Sequence, residues 1–244
     1  MICYFYPKTY SMKHLLFILI TISLFACRNG VRGSGNIIKN TRPISEINAL
    51  SVSGSIKVDI KNGTTPSLII EADDNIMPYV NTNFSDKNLT IKIKGINSVR
   101  NATINVYLVI PTLTKVITAA SAQVRSDEVI NSSDKLSFNA SSGSLINVNI
   151  DAPSVFADAS SGADIILHGR TKNLTAESSS GSNVNLFELQ TENAVATASS
   201  GADISVSASI GIKANASSGG NIRYKGGATS VQKNVSSGGS VNQN

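Results

Sequence analysis

The sequence predicts an all-β protein in which short strands stack as a parallel β-solenoid with coils of about 19 residues. The main observation is a repeated Ser-Ser-Gly sequence whose glycine recurs at intervals of 19, 19, 20, 18 and 19 residues. These glycines are Gly143, Gly162, Gly181, Gly201, Gly219 and Gly238. A content of 41% hydrophobic, 15% charged and 5% aromatic residues excludes a disordered chain and suits a narrow core of small and β-branched side chains.

The residues that flank each corner alternate between apolar and mixed positions, which is the pattern of half-buried strands. The third residue after the glycine is apolar and β-branched in every copy: Ile146, Ile165, Val184, Ile204, Ile222 and Val241. A unit of strand, loop, strand and corner is too small to enclose a core by itself. We therefore expect the copies to stack in register, with about 4.8 Å between coils. A tight corner often requires positive φ, which explains the glycine without any function.

The remaining chain divides by regularity. Residues 37–118 contain alternating segments without the fixed spacing, and residues 119–244 contain the regular repeats. Residues 52–58, Val-Ser-Gly-Ser-Ile-Lys-Val, resemble an isolated corner. We expect one continuous β structure that is irregular at its start.

Residues 1–26 have the pattern of a signal peptide of the lipoprotein type. Lys13 and His14 precede an apolar run from residue 15 to 26, which is shorter than the roughly 20 residues of a membrane-spanning helix. Cys27 follows directly, and we expect its thiol to carry the lipid; an ordinary secretory signal is the alternative. Residues 27–36 are polar and contain glycine, which predicts a flexible tether.

These features predict an exported outer-membrane lipoprotein that faces either the periplasm or the cell surface. The segment Arg28-Asn29-Gly30 lacks the acidic run that often accompanies surface export, so the periplasmic side is at least as well supported. Cleavage before Cys27 leaves 19 basic and 16 acidic residues, a net charge of +3. Without a basic run, the sequence does not indicate a nucleic-acid partner. The expected partners are the membrane, through the lipid, and a cell-surface polymer or protein; the oligomeric state stays open.

Several blocks resemble a known family in order along the chain: ISEINALSVSGSIKVDI, LTIKI, VYLVIPTLTKV and IRYKGGA. The chain is similar over residues 37–241 to the head GIN domain family, described as putative auto-transporter adhesins and found in exported proteins of Bacteroidetes-type bacteria. The resemblance implies a right-handed parallel β-helix. The family has no agreed catalytic residues, so the resemblance assigns none here.

Two carboxylates offer the one arrangement in the repeats that suggests catalysis. Asp158 and Glu177 stand at the same position in successive coils, four residues before the corner glycine. Register therefore places them about 5 Å apart, near the separation of roughly 5–5.5 Å in retaining glycosidases. Every stacked pair of neighbours has this spacing, however, and outward acids are common. His168 is the one histidine after Cys27, and we interpret it as a solvated outward residue.

A second polar column lies two places after the corner and contains Asp164, Asn183, Asp203 and Asn221. Its oxygens suit calcium, which takes six to eight such ligands. Stacked Asn side chains also bond to one another without an ion, and the two aspartates are two coils apart. We therefore predict no metal site and no cofactor.

The sequence thus predicts a non-catalytic cell-envelope lipoprotein that serves as an adhesin-like binding or scaffold module. The alternative is a polysaccharide-active β-helix enzyme that uses surface carboxylates such as Asp158 and Glu177. A deep groove with convergent acids would favour the enzyme, and flat walls rich in Ser, Thr and Asn would favour the binding module.

Overall fold

The structure, a computed structural model, describes residues 30–244. Over this range it consists of strands and one short 3-10 turn, Met77–Tyr79. The first part contains β1 (Val31–Arg32), β2 (Ile37–Arg42), β3 (Ala49–Ser53), β4 (Lys57–Asn62), β5 (Ser67–Asp73), β6 (Val80–Ser85), β7 (Asn88–Ile93), β8 (Val99–Arg100) and β9 (Ile104–Ile110). The second part contains β10 (Lys115–Ala119), β11 (Gln123–Asn131), β12 (Leu136–Ala140), β13 (Leu145–Ala159), β14 (Asp164–Ser178), β15 (Asn183–Leu186), β16 (Leu189–Ala198), β17 (Asp203–Ser207), β18 (Gly211–Ala216), β19 (Asn221–Lys225), β20 (Ser230–Val235) and β21 (Ser240–Gln243).

The second part is a parallel β-solenoid, as the repeat predicts. Sheet A is formed by the strands that enter the Ser-Ser-Gly corners, and sheet B by those that leave them; the long strands β13 and β14 belong to both. Ile146 pairs with Ile165, which pairs with Val184, and the same column continues through Ile204 and Ile222. All five side chains are fully buried. The predicted aliphatic column therefore fills the interior, where burial of each such side chain stabilises the fold by about 1.5–3 kcal/mol.

Each corner is a tight turn with positive φ at two successive residues. At the first regular corner Ser142 has φ of 55° and Gly143 has φ of 66°, the pattern of a type I′ turn. The N–H of Ser144 donates to the carbonyl of Ser141 at 3.3 Å and closes the turn. The N–H of Gly143 donates to the carbonyl of Ser161 in the next coil at 3.1 Å. The corners thus form their own hydrogen-bonded stack along one edge of the solenoid.

In the first part, the order of strands in space differs from their order in the chain. β3 and β4 form one coil with a turn at Gly54, as the resemblance of residues 52–58 to a corner predicts. This coil lies between the later strands β7 and β9 on one side and β10 and β11 on the other. Antiparallel strands then cover the end: β6 pairs with β7, β5 with β9, and β2 with β5. This capped end closes the solenoid with a local reversal of strand direction.

Residues 30–36 are bound to the domain, although the sequence assigns them to a flexible tether. β1 pairs with β8 through Val31 and Val99. The carboxylate of Asp73, which is 1% exposed, accepts hydrogen bonds from the N–H groups of Gly35 at 2.6 Å and Thr103 at 2.7 Å. Asp74 accepts a further bond from the hydroxyl of Ser34 at 2.6 Å. Because these bonds fix the backbone of the segment, the predicted tether is not free over residues 30–36.

The last coil of the described residues also departs from the repeat pattern. Val231 and Val235 occupy positions that are buried in earlier coils, yet they are 39% and 53% exposed. Lys233 stands where earlier coils have alanine or Phe138, and its amine lies 4.8 Å from the ring centroid of Tyr224. These side chains are exposed because no further described coil packs on them.

Candidate binding surface

The structure places Asp158 and Glu177 side by side on the outer face of sheet A, as the register predicts. Asp158 is half-buried, and burial raises the pKa of its carboxyl group above the usual range. Glu177 is exposed. Neither residue lines any of the five leading pockets among residues 30–244. The pair therefore has the spacing of a glycosidase pair, but it lies on an open wall without a cleft to hold a substrate.

The Asp and Asn column on sheet B is a hydrogen-bonded ladder. The amide of Asn183 donates to Asp164 at 3.3 Å, and the amide of Asn221 donates to Asp203 at 2.9 Å. The hydroxyl of Ser240 donates to Asn221 at 2.6 Å and continues the ladder. These bonds join neighbouring coils in pairs and engage one oxygen each of Asp164, Asp203 and Asn221. Among residues 30–244, no group of three or more His, Cys, Asp or Glu side chains is close enough to hold a metal ion.

His168 is half-buried on sheet B and pairs in register with Asn149. It borders a shallow pocket of about 330 Å³ together with Ser126. The hydroxyl of Ser126 donates to the backbone carbonyl of Glu128 at 2.8 Å. A serine engaged in this way is not activated by His168, so the arrangement lacks the base-to-nucleophile bond of a catalytic triad.

A charged cluster that the sequence does not predict surrounds a bulge in β11. The register between β11 and β13 shifts after Ser126, so Asp127 and Glu128 protrude from sheet B. Arg125, just before the bulge in β11, makes two hydrogen bonds to Asp59 on the neighbouring strand β4. Bulges often re-aim side chains next to functional sites. Here the carbonyl of Asp127 accepts a hydrogen bond from Asn149 at 2.9 Å, and the carbonyl of Glu128 accepts the one from Ser126. The cluster joins β11 to β4 and so reinforces the junction between the two parts of the molecule.

Of five pockets compared among residues 30–244, the largest is an open groove of about 540 Å³ on the edge opposite the corners. This lateral groove is lined by residues 151–153, 170–172, 190–192, Ser207 and Ser209, which come from four successive coils. Its origin is a difference in turn length. Leu186 pairs in register with Val206, and Asn193 pairs with Gly211. The sequence separation across the turn is seven residues from Leu186 to Asn193 but only five from Val206 to Gly211. The shorter turn leaves a recess beside the longer one.

This groove was not predicted from the sequence, although the intervals of 20 and 18 residues between successive corner glycines are its signal. They show that one coil is longer and the next shorter than the repeat. Only the register of the strands shows that both changes fall on the same edge.

Charges in the lateral groove are both paired and unpaired. Arg170 donates from Nε to Asp151 Oδ2 at 2.8 Å, and this hydrogen bond lowers the pKa of Asp151. Lys172 and Glu192 form no ion pair with any residue of the described range. The floor contains the buried Thr171, whose hydroxyl donates to a backbone carbonyl. The groove thus offers donors and acceptors above a floor whose own polar groups are satisfied.

Cys27, the predicted site of lipidation, lies outside the described residues, as does the whole predicted signal peptide. None of the elements within residues 30–244 is a helix with the length and apolar content of a membrane span.

Comparisons with known proteins agree with this architecture. A family model described as putative auto-transporter adhesin, head GIN domain, matches residues 46–228. The solved structure of a putative adhesin from Bacteroides fragilis NCTC 9343 has a TM-score of 0.80 at 18% identity, with 88% of this chain and 100% of that chain covered. A putative lipid binding protein from Parabacteroides distasonis ATCC 8503 has a TM-score of 0.68 at 18% identity, with 88% and 100% covered. No curated protein matches the chain. At these identities the structural likeness establishes the fold.

Proposed function

Because this chain belongs to the family described as putative auto-transporter adhesin, head GIN domain, we propose that it is a non-catalytic, lipid-anchored binding or scaffold module of the cell envelope. The supporting observation is the wall itself. Polar side chains are stacked in register on its outer faces, and every buried side-chain nitrogen or oxygen in the described range has a hydrogen-bond partner. Such a wall holds its outward groups in fixed positions, which lowers the entropic cost of binding an extended partner.

The bound segment of residues 30–36 bears on how the module would be anchored. A lipid on Cys27 would lie only three residues before Gly30, a reach of roughly 10 Å at most. The capped end would then rest close to the bilayer. Nine parallel levels stack from β7 to β20 in sheet A, so the far coil would stand roughly 40 Å away. The regular coils would be the part displayed to a polymer or protein of the envelope.

The anchor is tested by expressing the full chain and its Cys27→Ala variant with a radiolabelled fatty acid. We expect the unaltered chain to carry the label and to be found in the envelope fraction. The variant should be unlabelled and soluble. Protease treatment of intact cells then separates a surface location from a periplasmic one. Absence of label in the unaltered chain would overturn the lipid anchor.

The binding role is tested with the mature chain from residue 27, purified with Cys27→Ser so that it carries no lipid. We expect saturable co-sedimentation with protein-depleted envelope polysaccharide or saturable capture by envelope proteins. A chain that binds neither fraction contradicts the binding role.

The second candidate is a polysaccharide-active enzyme, and the raised pKa of Asp158 beside Glu177 is the observation that favours it. Incubation of the purified chain and an Asp158→Asn variant with a panel of polysaccharides separates the two roles. The binding module predicts no released oligosaccharide from either protein and equal binding by both. Product formation that Asp158→Asn abolishes would establish the enzyme instead.

A further inference from the structure

At the lateral groove, a change in turn length between successive coils creates a concave site. Its volume of about 540 Å³ falls within the range of roughly 300–1,000 Å³ typical of ligand pockets. It crosses four coils, a span of roughly 14 Å. The groove is open along this span, so it suits a segment of a longer chain better than an enclosed small molecule.

The charges of the groove point to a ligand without net charge. Arg170 and Asp151 neutralise each other through their hydrogen bonds. Lys172 and Glu192 add one positive and one negative group. A polyanion would be attracted by the cations but repelled by Glu192, and a cation would meet the reverse. Balanced charge therefore gives no electrostatic preference to either class.

The polar groups of the groove both donate and accept hydrogen bonds at short intervals. Gln190 can do both, Lys172 donates, Glu192 accepts, and Ser207 and Ser209 have hydroxyl groups. The lining also includes apolar groups, because Ala152 and Pro153 are apolar and the buried Thr171 and Thr191 carry methyl groups. A sugar ring presents C–H groups on its faces and hydroxyl groups around its rim, which matches a lining that combines apolar and polar groups. A lipid chain would leave the polar groups unpaired at a cost.

From this arrangement we propose that the lateral groove binds a segment of a neutral, hydroxyl-rich glycan chain. The proposal rests on the proposed binding function and gives it a place and a ligand class. Because the groove exists through the short turn from Val206 to Gly211, its shape is specific to these coils and does not recur along the solenoid.

The test measures binding of neutral glucan, mannan and N-acetylglucosamine oligosaccharides to the mature Cys27→Ser chain by calorimetry, with an oligogalacturonate as the anionic arm. The first variant inserts one serine between Ser209 and Ile210, which restores the usual turn length and fills the recess. The second is Lys172→Ala with Gln190→Ala. Its matched control is Lys57→Ala with Gln123→Ala, an exposed, register-paired Lys and Gln on sheet B.

We expect a neutral oligosaccharide to bind and each groove variant to weaken it by at least roughly tenfold, the loss of one to two good polar contacts. The control pair should bind like the unaltered chain. If all variants bind equally, the ligand lies elsewhere; this result overturns the groove and leaves the binding module intact. Preference for oligogalacturonate, or no binding by any neutral probe when the envelope fractions do bind, also overturns the groove proposal.

Discussion

The capped end and the regular coils are built from the same alternating strands but are stabilised in different ways. In the regular coils, one position recurs in every layer, so each side chain packs on an equivalent side chain above and below it. In the capped end, strand direction reverses and single residues such as Asp73 hold segments that are far apart in sequence. The regular coils therefore depend on a repeated contact, and the capped end depends on contacts that occur once.

This difference predicts where a single substitution costs most. A repeated contact lies between equivalent side chains in the coils above and below, so truncation of a side chain leaves a cavity between two fixed layers. A contact that occurs once holds one segment, so its loss releases that segment and costs mainly the hydrogen bonds that held it. The following substitutions compare the two regions, and each has a matched partner within the chain.

The largest loss is expected from Ile165→Ala in the middle of the buried column. The side chain is fully buried between Ile146 and Val184, so truncation leaves a cavity that cannot collapse between two fixed layers. We expect the free energy of unfolding to fall by about 3 kcal/mol. Urea denaturation of the mature chain measures this change. Val241→Ala, in the same column of the last described coil and only half-buried, should cost less than about 1 kcal/mol; equal losses would show that the column is not packed layer on layer.

The next largest effect is expected from Asp73→Ala in the capped end. The change leaves the N–H groups of Gly35 and Thr103 without their buried acceptor, at a cost of about 2 kcal/mol in the free energy of unfolding. Residues 30–36 should also detach, and trypsin should cleave after Arg32 faster than in the unaltered chain. Glu46→Ala is the control, because Glu46 is an exposed acid of the same part of the molecule and forms no ion pair with any described residue. The same cleavage rate in both variants would mean that Asp73 does not hold the segment.

The regular coils could be predicted from the sequence almost completely, because their register depends on a local pattern that recurs. The column through Ile146 and Ile165 could be assigned from spacing alone. The capped end could not be predicted in this way. The later strand β7 pairs with β3 on the side opposite β10, so the order of the strands in space differs from their order in the chain. The spacing of residues in the sequence does not indicate such a change of order. The bound state of residues 30–36 was missed for the same reason, since Asp73 lies far from Gly35 in sequence.

The candidate sites show the same limit. The Asp164 ladder and the pairing of Asp158 with Glu177 follow from register and were predicted. The lateral groove depends on where a coil gains or loses a residue, and the intervals of the corner glycines do not specify this edge. Whether a wall is flat or recessed is therefore a property of the turns, which repeat less strictly than the strands.

A smaller loss of stability is expected when a corner glycine is replaced by alanine. The loss should be larger at Gly54, in the first part of the molecule, than at Gly143 in the regular coils. Gly143 has φ of 66°, and a Cβ there would meet no atom within 4 Å, so Gly143→Ala costs only the backbone strain of about 1 kcal/mol. Gly54 has φ of 97°, and its Cβ would approach Ile93 to 3.2 Å. We expect Gly54→Ala to cost about 1.5 kcal/mol in urea denaturation, since contact of the new side chain with Ile93 adds to the backbone strain. The opposite order would contradict the view that the regular corner needs glycine for φ alone.

The smallest effect concerns the half-buried carboxyl group of Asp158 in the regular coils. Burial raises its pKa in the folded chain, so the folded state holds the proton more tightly than the unfolded state. The resulting stabilisation is complete below the unfolded pKa and is lost as pH rises through the folded pKa. Asp158→Asn should therefore raise the free energy of unfolding at pH 7 by roughly 0.3 kcal/mol, a small gain because solvent screens the partly exposed group.

At pH 3 the same variant should match the unaltered chain, since the carboxyl group is then protonated in the folded state. Urea denaturation at both pH values measures the difference, and Glu177→Gln separates two causes. Burial of Asp158 predicts that Glu177→Gln brings no gain at pH 7, because Glu177 is exposed. Repulsion between the two neighbouring carboxylates predicts an equal gain from either substitution. Only an equal gain from both substitutions would show that the two carboxyl groups act as one unit, as a catalytic pair does. That result would weaken the view that these coils form a passive wall.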